Sequence, residues 1–167
     1  SNNNTFTNNT LNLNQEGIYL FSSSDNTLTN NNVSSNTNHG IFLQSSSSNT
    51  IYNNYFNNIN NAGDDGNNTW NTTKIPGPNI IGGSYLGGNY WPNYLGADPT
   101  CDGLGDTLTP YNSSGNIING GDYHPDYSLS IVPTLPSPKG TKEDDKRTLP
   151  VLVPIDPNDI IGPAGFG

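Results

Sequence analysis

Asn4-Thr5-Phe6, Asn26-Thr27-Leu28, Asn49-Thr50-Ile51 and Asn68-Thr69-Trp70 repeat one three-residue phrase at spacings of 22, 23 and 19 residues. In three of the repeats a second apolar residue follows five positions after the first, at Leu11, Val33 and Phe56. Further along, Gly17-Ile18-Tyr19-Leu20 returns as Gly40-Ile41-Phe42-Leu43, so Ile18 and Leu20, then Ile41 and Leu43, alternate inward as a strand of period two requires. Short apolar strands that return in phase between polar turns are the mark of a stacked solenoid, because one such unit cannot bury its apolar side chains alone. Each unit is expected to close as a coil with about three faces, and successive coils to rise by about 4.8 Å, one strand spacing. The predicted fold is all-β, a parallel β-helix of about three coils. Its interior stack is Phe6, Leu28, Ile51, Trp70, Leu11, Val33, Phe56, Ile18, Ile41, Leu20 and Leu43.

Asparagine suits the corners because it tolerates the left-handed backbone region and its amide bonds nearby backbone. The columns Asn8/Asn30/Asn53 and Asn9/Asn31/Asn54 are expected to bond one another up the stack, as amide ladders do in other cross-β arrangements. A disordered Asn/Ser tract is the competing reading of 23 Asn in the first 72 residues. Disorder leaves the phased apolar residues unexplained.

Composition narrows the function. The net charge is −9, and the five basic residues are Lys74, Lys139, Lys142, Lys146 and Arg147, a set that offers no surface to a phosphate backbone. Nucleic acid is therefore not an expected partner. The single Cys101 excludes an intramolecular disulfide framework. No apolar run approaches the roughly 18 residues of a membrane-spanning helix. The chain begins inside a repeat, so further coils are expected upstream.

Composition shifts twice, which divides the chain into coils at 1–73, a C-terminal cap region at 74–132 and a Pro-rich linker at 133–167. The cap carries Leu86-Gly87-Gly88-Asn89-Tyr90-Trp91 and Gly120-Gly121-Asp122-Tyr123, apolar and aromatic enough to cover a last coil. The tail, with its prolines and the run Lys142-Glu143-Asp144-Asp145-Lys146-Arg147, reads as a semi-extended connection toward another domain of the same chain.

The Asn-Thr-apolar coils, the segment Asn68-Thr69-Trp70-Asn71-Thr72-Thr73, the Gly-Gly-Asn-Tyr-Trp at 87–91 and Asp102-Gly103-Leu104-Gly105-Asp106-Thr107 together resemble the NosD-like right-handed parallel β-helix domain of archaeal and bacterial secreted and surface proteins. The resemblance covers about residues 1–130 and implies a right-handed helix within a superfamily of carbohydrate-binding and sugar-hydrolysing proteins. The ending Asp156-Pro157-Asn158-Asp159-Ile160-Ile161-Gly162-Pro163 resembles the lead-in to a β-sandwich module of large surface proteins.

The family name implies copper, a metal that draws on Cys, Met and imidazole. This chain has Cys101, no Met, and His39 and His124 far apart in sequence, so copper is not expected. Calcium has a candidate loop in Asp98-Pro99-Thr100-Cys101-Asp102-Gly103-Leu104-Gly105-Asp106. Its carboxylates stand at positions 1, 5 and 9, with a glycine at position 6. Asp98, Asp102, Leu104 and Asp106 are the candidate ligands. Thr100 stands where the family pattern has a further Asp, and no Glu occupies position 12. An Asx turn, with the carboxylates on backbone amides, is the alternative.

The aromatics Tyr85, Tyr90, Trp91 and Tyr94 have two readings as well, stacking on the sugar rings of a surface polysaccharide or glycan, or burial over the end of the solenoid. Between residues 1 and 73 there is no Lys or Arg, and the acids are Glu16, Asp25 and the adjacent pair Asp64-Asp65. That is a poor set for paired-carboxylate hydrolysis or for lyase elimination. Six Asn-x-Ser/Thr sequons, beginning at Asn3, Asn8, Asn32, Asn67, Asn71 and Asn112, fit an extracellular or cell-surface location. The expected role is a non-catalytic segment of a larger secreted or surface protein, a rigid adhesive spacer or glycan-contacting module. The alternative is the C-terminal part of a polysaccharide-modifying lyase, hydrolase or epimerase whose active site lies upstream.

Overall fold

Residues 1–128 are described by a computed structural model, and they fall within one unit spanning Ser1–Ser130. The expected linker at 133–167, its downstream domain and the last four residues of the expected cap lie outside the described residues. Nine short strands follow one another as β1 (Thr5–Thr7), β2 (Thr10–Asn12), β3 (Glu16–Phe21), β4 (Thr27–Thr29), β5 (Asn32–Ser34), β6 (His39–Gln44), β7 (Thr50–Tyr52), β8 (Tyr55–Asn57) and β9 (Asn60–Asp64). They assemble into three parallel sheets, β1-β4-β7, β2-β5-β8 and β3-β6-β9, one on each face of the coil. An antiparallel hairpin of β10 (Ile75–Pro76) and β11 (Tyr85–Leu86) and a single 3-10 turn at Ser113–Gly115 lie beyond them. No helix among the described residues is long and apolar enough to cross a membrane.

The register is the one set by the repeats. Phe6 pairs with Leu28 and Leu28 with Ile51, Leu11 with Val33 and Val33 with Phe56, and Ile18 with Ile41 and Leu20 with Leu43. On the third face the next layer carries Ala62 opposite Ile41 and Asp64 opposite Leu43. Leu28, Val33, Ile41, Leu43, Ile51, Phe56 and Trp70 are completely buried. Phe6 is 37% exposed and Leu11 half-buried, because they belong to the first coil and have a neighbour on one side only.

The corners of the coils follow one rule, except that Asn57, before Asn58, does not have a positive φ. A residue with positive φ turns the chain, and the residue after it points into the stack. The turning columns are Asn3/Asp25/Ser48, Asn8/Asn30/Asn53, Leu13/Ser35 and Ser22/Ser45, all with φ between 46° and 59°. The inward columns that follow are Asn4/Asn26/Asn49, Asn9/Asn31/Asn54, Asn14/Asn36/Asn58 and Ser23/Ser46. In the first, Asn4 donates from its backbone N and its Nδ2 to Asn26 Oδ1, both at 2.9 Å, and Asn26 does the same to Asn49 Oδ1 at 2.9 and 2.8 Å. In the second, the Nδ2 to Oδ1 bonds from Asn9 to Asn31 and from Asn31 to Asn54 are both 2.9 Å. The Ser column uses a hydroxyl instead, with Ser23 N donating to Ser46 Oγ at 3.0 Å. At these corners the inward side chains thus accept from the backbone amides of the coil before, which a reversal inside a stack would otherwise leave idle.

The strands do not stop at β9. Thr69 bridges Thr50, Tyr90 bridges Tyr55 and Ile117 bridges Asp64, all in parallel. The backbone bonds Ile51 N to Thr69 O (2.8 Å), Phe56 N to Tyr90 O (3.0 Å) and Asp64 N to Asn116 O (2.9 Å) continue the three ladders. A fourth layer is therefore built from three separate segments, each on its own face, with residues 71–87 and 92–115 looped out between them. Asn68 and Asn89 take the inward corner positions of this layer. Asn68 Oδ1 accepts from Asn49, and Asn89 Oδ1 accepts from Asn54 Nδ2 at 2.9 Å.

Asn54→Ala removes a fully buried amide that accepts from Asn31 and donates to Leu28 O and Asn89 Oδ1. It is expected to cost about 3 kcal/mol in urea denaturation, since the stranded partners lose their bonds without regaining water. Leu13 is the opposite case, a branched side chain 80% exposed at φ 58°. Leu13→Asn is expected to stabilise by about 1 kcal/mol in the same measurement, because the left-handed conformation penalises a bulky residue and suits Asn.

Candidate functional site

The aromatic residues of the cap divide between a plug and a cavity wall. Trp91 is buried. Its ring stacks on Phe56 at 4.8 Å and lies 5.9 Å from Trp70 and 4.7 Å from Tyr111. The indole nitrogens of the two Trp residues find carboxylates, Trp70 Nε1 donating to Asp64 Oδ2 at 2.9 Å and Trp91 Nε1 to Asp122 Oδ2 at 2.8 Å. Aromatic bodies thus close the apolar stack, while acids behind them satisfy the polar handles. Tyr90 stacks on Tyr55 at 5.0 Å. Tyr94 packs edge-on against Tyr111, and its hydroxyl donates to Thr107 O. The Tyr85 ring is covered by Lys74, whose Nζ stands 4.3 Å from its centroid.

The loop from Asp98 to Asp106 is a tightly bonded turn. Asp98 is buried, with Oδ1 accepting from Asp102 N (3.2 Å) and Oδ2 from Gly103 N (2.7 Å). Asp102 Oδ1 accepts from Leu104 N at 2.9 Å, and its Oδ2 pairs with Lys74 Nζ. The Thr100 hydroxyl lies within 3.2, 3.0 and 2.8 Å of oxygens of Asp98, Asp102 and Asp106. Thr100 thus sits at the centre of the three carboxylates. Among the described residues no group of three or more His, Cys, Asp or Glu side chains is arranged to hold a metal ion.

Beside the plug is a cavity of about 320 Å³ lined by Tyr90, Trp91, Pro92, Tyr94, Gly96, Asp126, Tyr127 and Ser128. Asp126 is reached through a fifth layer, bridging Tyr90 in parallel and Leu104 antiparallel. Burial, and next the charge of nearby Asp122, push its carboxyl up to about 8, while the Asn79 side chain works in the other direction. Asp122 is completely buried and pushed up to about 7 by that burial, although it accepts from Trp91 Nε1, Asn89 N and His124 N. Neither acid stands out in the sequence, because both occur in a Gly, Tyr and Pro loop that matches no spacing.

A second surface feature lies on the outer side of β3 and β6. The alternation that turns Ile18 and Leu20 inward turns Tyr19 and Phe21 outward, 50% and 58% exposed. Tyr19 pairs with Phe42 in register, and the two rings lie 5.7 Å apart and within 6° of parallel. His39 continues the row, stacked on Phe42 at 4.9 Å, with Nδ1 held 3.2 Å from Glu16 Oε2. Gly63, the next residue up that column, leaves the Phe42 ring the room that a Cβ 2.8 Å from Cδ2 would take.

The buried acids set the pH dependence. Each binds a proton in the folded chain at pH values where the unfolded chain has lost it, so stability is expected to fall as pH rises from about 4 to about 8. The slope approaches about 1.4 kcal/mol per pH unit for each acid. Unfolding midpoints at pH 5 and pH 8 check this, and Asp126→Leu is expected to reduce the difference.

A family model described as "Periplasmic copper-binding protein (NosD)" matches residues 1–96. No curated protein and no solved structure matches the chain. The residues present do not fit copper. His39 is engaged with Glu16 and Phe42, Cys101 is exposed on the Asp98 turn, and the chain has no Met. By its stacked coils and by a match over more than half its length, the chain belongs to the NosD family.

Proposed function

We propose that this chain is a non-catalytic segment of a protein working outside the cytoplasm, a rigid β-helix spacer that touches glycan through the outer face of β3 and β6. The observation that carries this reading is the stacked pair Tyr19 and Phe42, flanked by the more exposed Phe21. Rings already held in a stack on a rigid sheet lose little conformational freedom when a sugar ring packs its C–H face against their exposed parts. Glu16, His39 and Gln44 share the same strands and offer polar atoms for the hydroxyls at the edge of such a ring. The family's periplasmic description and the sequons support the location.

Non-catalysis is supported by the occupation of the nearby acid and base. Glu16 accepts from His39 N and lies against His39 Nδ1, an arrangement that ties two coils together. The polysaccharide-modifying alternative places its chemistry ahead of residue 1 and draws on no feature of the described residues.

The test is affinity gel electrophoresis of the chain in a panel of soluble polysaccharides. At least one is expected to retard it, and Tyr19→Ala with Phe42→Ala is expected to weaken that retardation about tenfold with the melting temperature nearly unchanged, since the rings are outside the core. Retardation that survives the double substitution removes the outer face from the reading. Release of reducing ends or unsaturated sugars during the run would replace the non-catalytic assignment.

A further inference from the structure

The stacking that buries the coil asparagines also shields them chemically. An asparagine deamidates when the backbone nitrogen of the following residue attacks its side-chain carbonyl carbon, so that nitrogen must be free to approach. After Asn26, Asn31 and Asn49 it is not free. Thr27 N, Asn32 N and Thr50 N donate into the coil before, to Asn4 O, Asn9 O and Asn26 O, at 2.9, 2.8 and 2.9 Å. The three asparagine side chains are themselves buried.

Asn119 differs on each count. It precedes Gly120 in the one Asn-Gly pair of the sequence, and both residues are exposed. Gly120 has φ 86° and puts no Cβ beside the attacking nitrogen. Gly120 N donates to no acceptor among the described residues. The pair crosses between two fixed points, Ile118 N on Asp64 O at 3.0 Å and Asp122 N on Tyr111 O at 2.9 Å. Its side chain is restrained by one bond, Asn119 Nδ2 donating to Gly66 O at 3.0 Å. A single exposed bond at a loop opens at little cost.

We propose that Asn119 is a self-modification site, deamidated by its own chain without an enzyme. Gly120 N bonds to Asn119 Cγ, the bond from Cγ to Nδ2 breaks, and Nδ2 leaves as ammonia with the proton that Gly120 N gives up. Water then opens the resulting succinimide ring at either carbonyl and leaves aspartate or isoaspartate. The product adds one negative charge to a chain of net charge −9. An acceptor then faces Gly66 O where a donor stood, beside a turn that already carries Asp64 and Asp65. The tie between this loop and the 64–66 turn is lost, and the fourth layer loosens as the protein ages. The outer face of β3 and β6 takes no part, so the site is independent of the glycan reading.

The test follows every asparagine of the full chain by peptide mass mapping during incubation at pH 6 and pH 8, in buffer and in urea. The Asn119 peptide is expected to gain one mass unit before any coil asparagine does, faster at pH 8, and in buffer as well as in urea. Labelling by isoaspartyl methyltransferase is expected in the same peptide. Gly120→Ala is expected to slow the conversion about tenfold by crowding the attack. A Cβ there meets nothing within 4 Å, so the variant keeps its fold. Asn119→Asp is expected to melt below Asn119→Ser, which loses the same bond without gaining a charge. An Asn119 that survives in buffer while converting in urea overturns the proposal, as does earlier conversion of a coil asparagine or a rate unaffected by Gly120→Ala. Equal melting of Asn119→Asp and Asn119→Ser overturns the loosening of the fourth layer by charge.

Discussion

The whole stack rests on one hydrogen-bonding unit, the inward asparagine placed directly after a left-handed corner residue. A solenoid must reverse its chain several times per coil, and each reversal carries backbone amides into a region that water does not reach. Asn26 N on Asn49 Oδ1 and Asn31 N on Asn54 Oδ1 show how those amides are satisfied, with the equivalent residue of the next coil as acceptor. The Nδ2 of the same side chain then bonds across the coils, to the next ladder residue and to backbone carbonyls such as Phe6 O and Leu28 O. Without this unit the apolar strands would have no way to return in register.

This arrangement accounts for a composition that looks too polar to fold. Only 30% of the chain is hydrophobic, yet the core is continuous from Ile18 to Trp91, because each coil contributes a few apolar residues and the corners contribute buried amides. It also explains why the fourth layer can be assembled from segments distant in sequence. A layer needs an apolar residue on each face and an inward amide at its corners, and Trp70, Trp91 and Ile117 with Asn68 and Asn89 provide these regardless of the chain between them.

What could be read in the sequence is what repeats. The stack Leu28, Val33, Ile41, Leu43, Ile51 and Phe56 follows from period and alternation alone, and the ladder Asn9/Asn31/Asn54 from columnar spacing. The ladder Asn4/Asn26/Asn49/Asn68 opens the very phrase that reveals the repeat. Its inward role was nevertheless hidden, since a turn asparagine reads alike whether it faces solvent or core. Of the fourth layer only Asn68-Thr69-Trp70 was legible, as the last copy of the phrase, because residues 90 and 117 share no period with the coils. Aromatic rings at 90, 91 and 94 could not be sorted by sequence into plug and wall, because burial depends on loops that meet only in space. Tyr19, Phe21 and Phe42 were available by alternation, as the outward half of strands whose inward half was recognised. Asp126 gave no signal, since its meaning comes from an enclosure formed by residues far away along the chain.

The amide ladders also have a direction. In the inward columns each Oδ1 receives from the preceding coil, while Nδ2 donates forward to the next Oδ1 and back to a carbonyl of the preceding coil, as Asn31 does to Asn54 and to Phe6 O. At the far end two ladders meet carboxylates, Asn68 Nδ2 donating to Asp64 Oδ1 at 2.8 Å and Asn89 Nδ2 lying 3.3 Å from Asp122 Oδ2. A carboxamide has two hydrogens to donate, one forward and one back, whereas a carboxyl group has at most one and none when ionised. The exchange of carboxamide for carboxyl therefore breaks the two-way bonding of the ladder, and the chain makes that change where its repeats end.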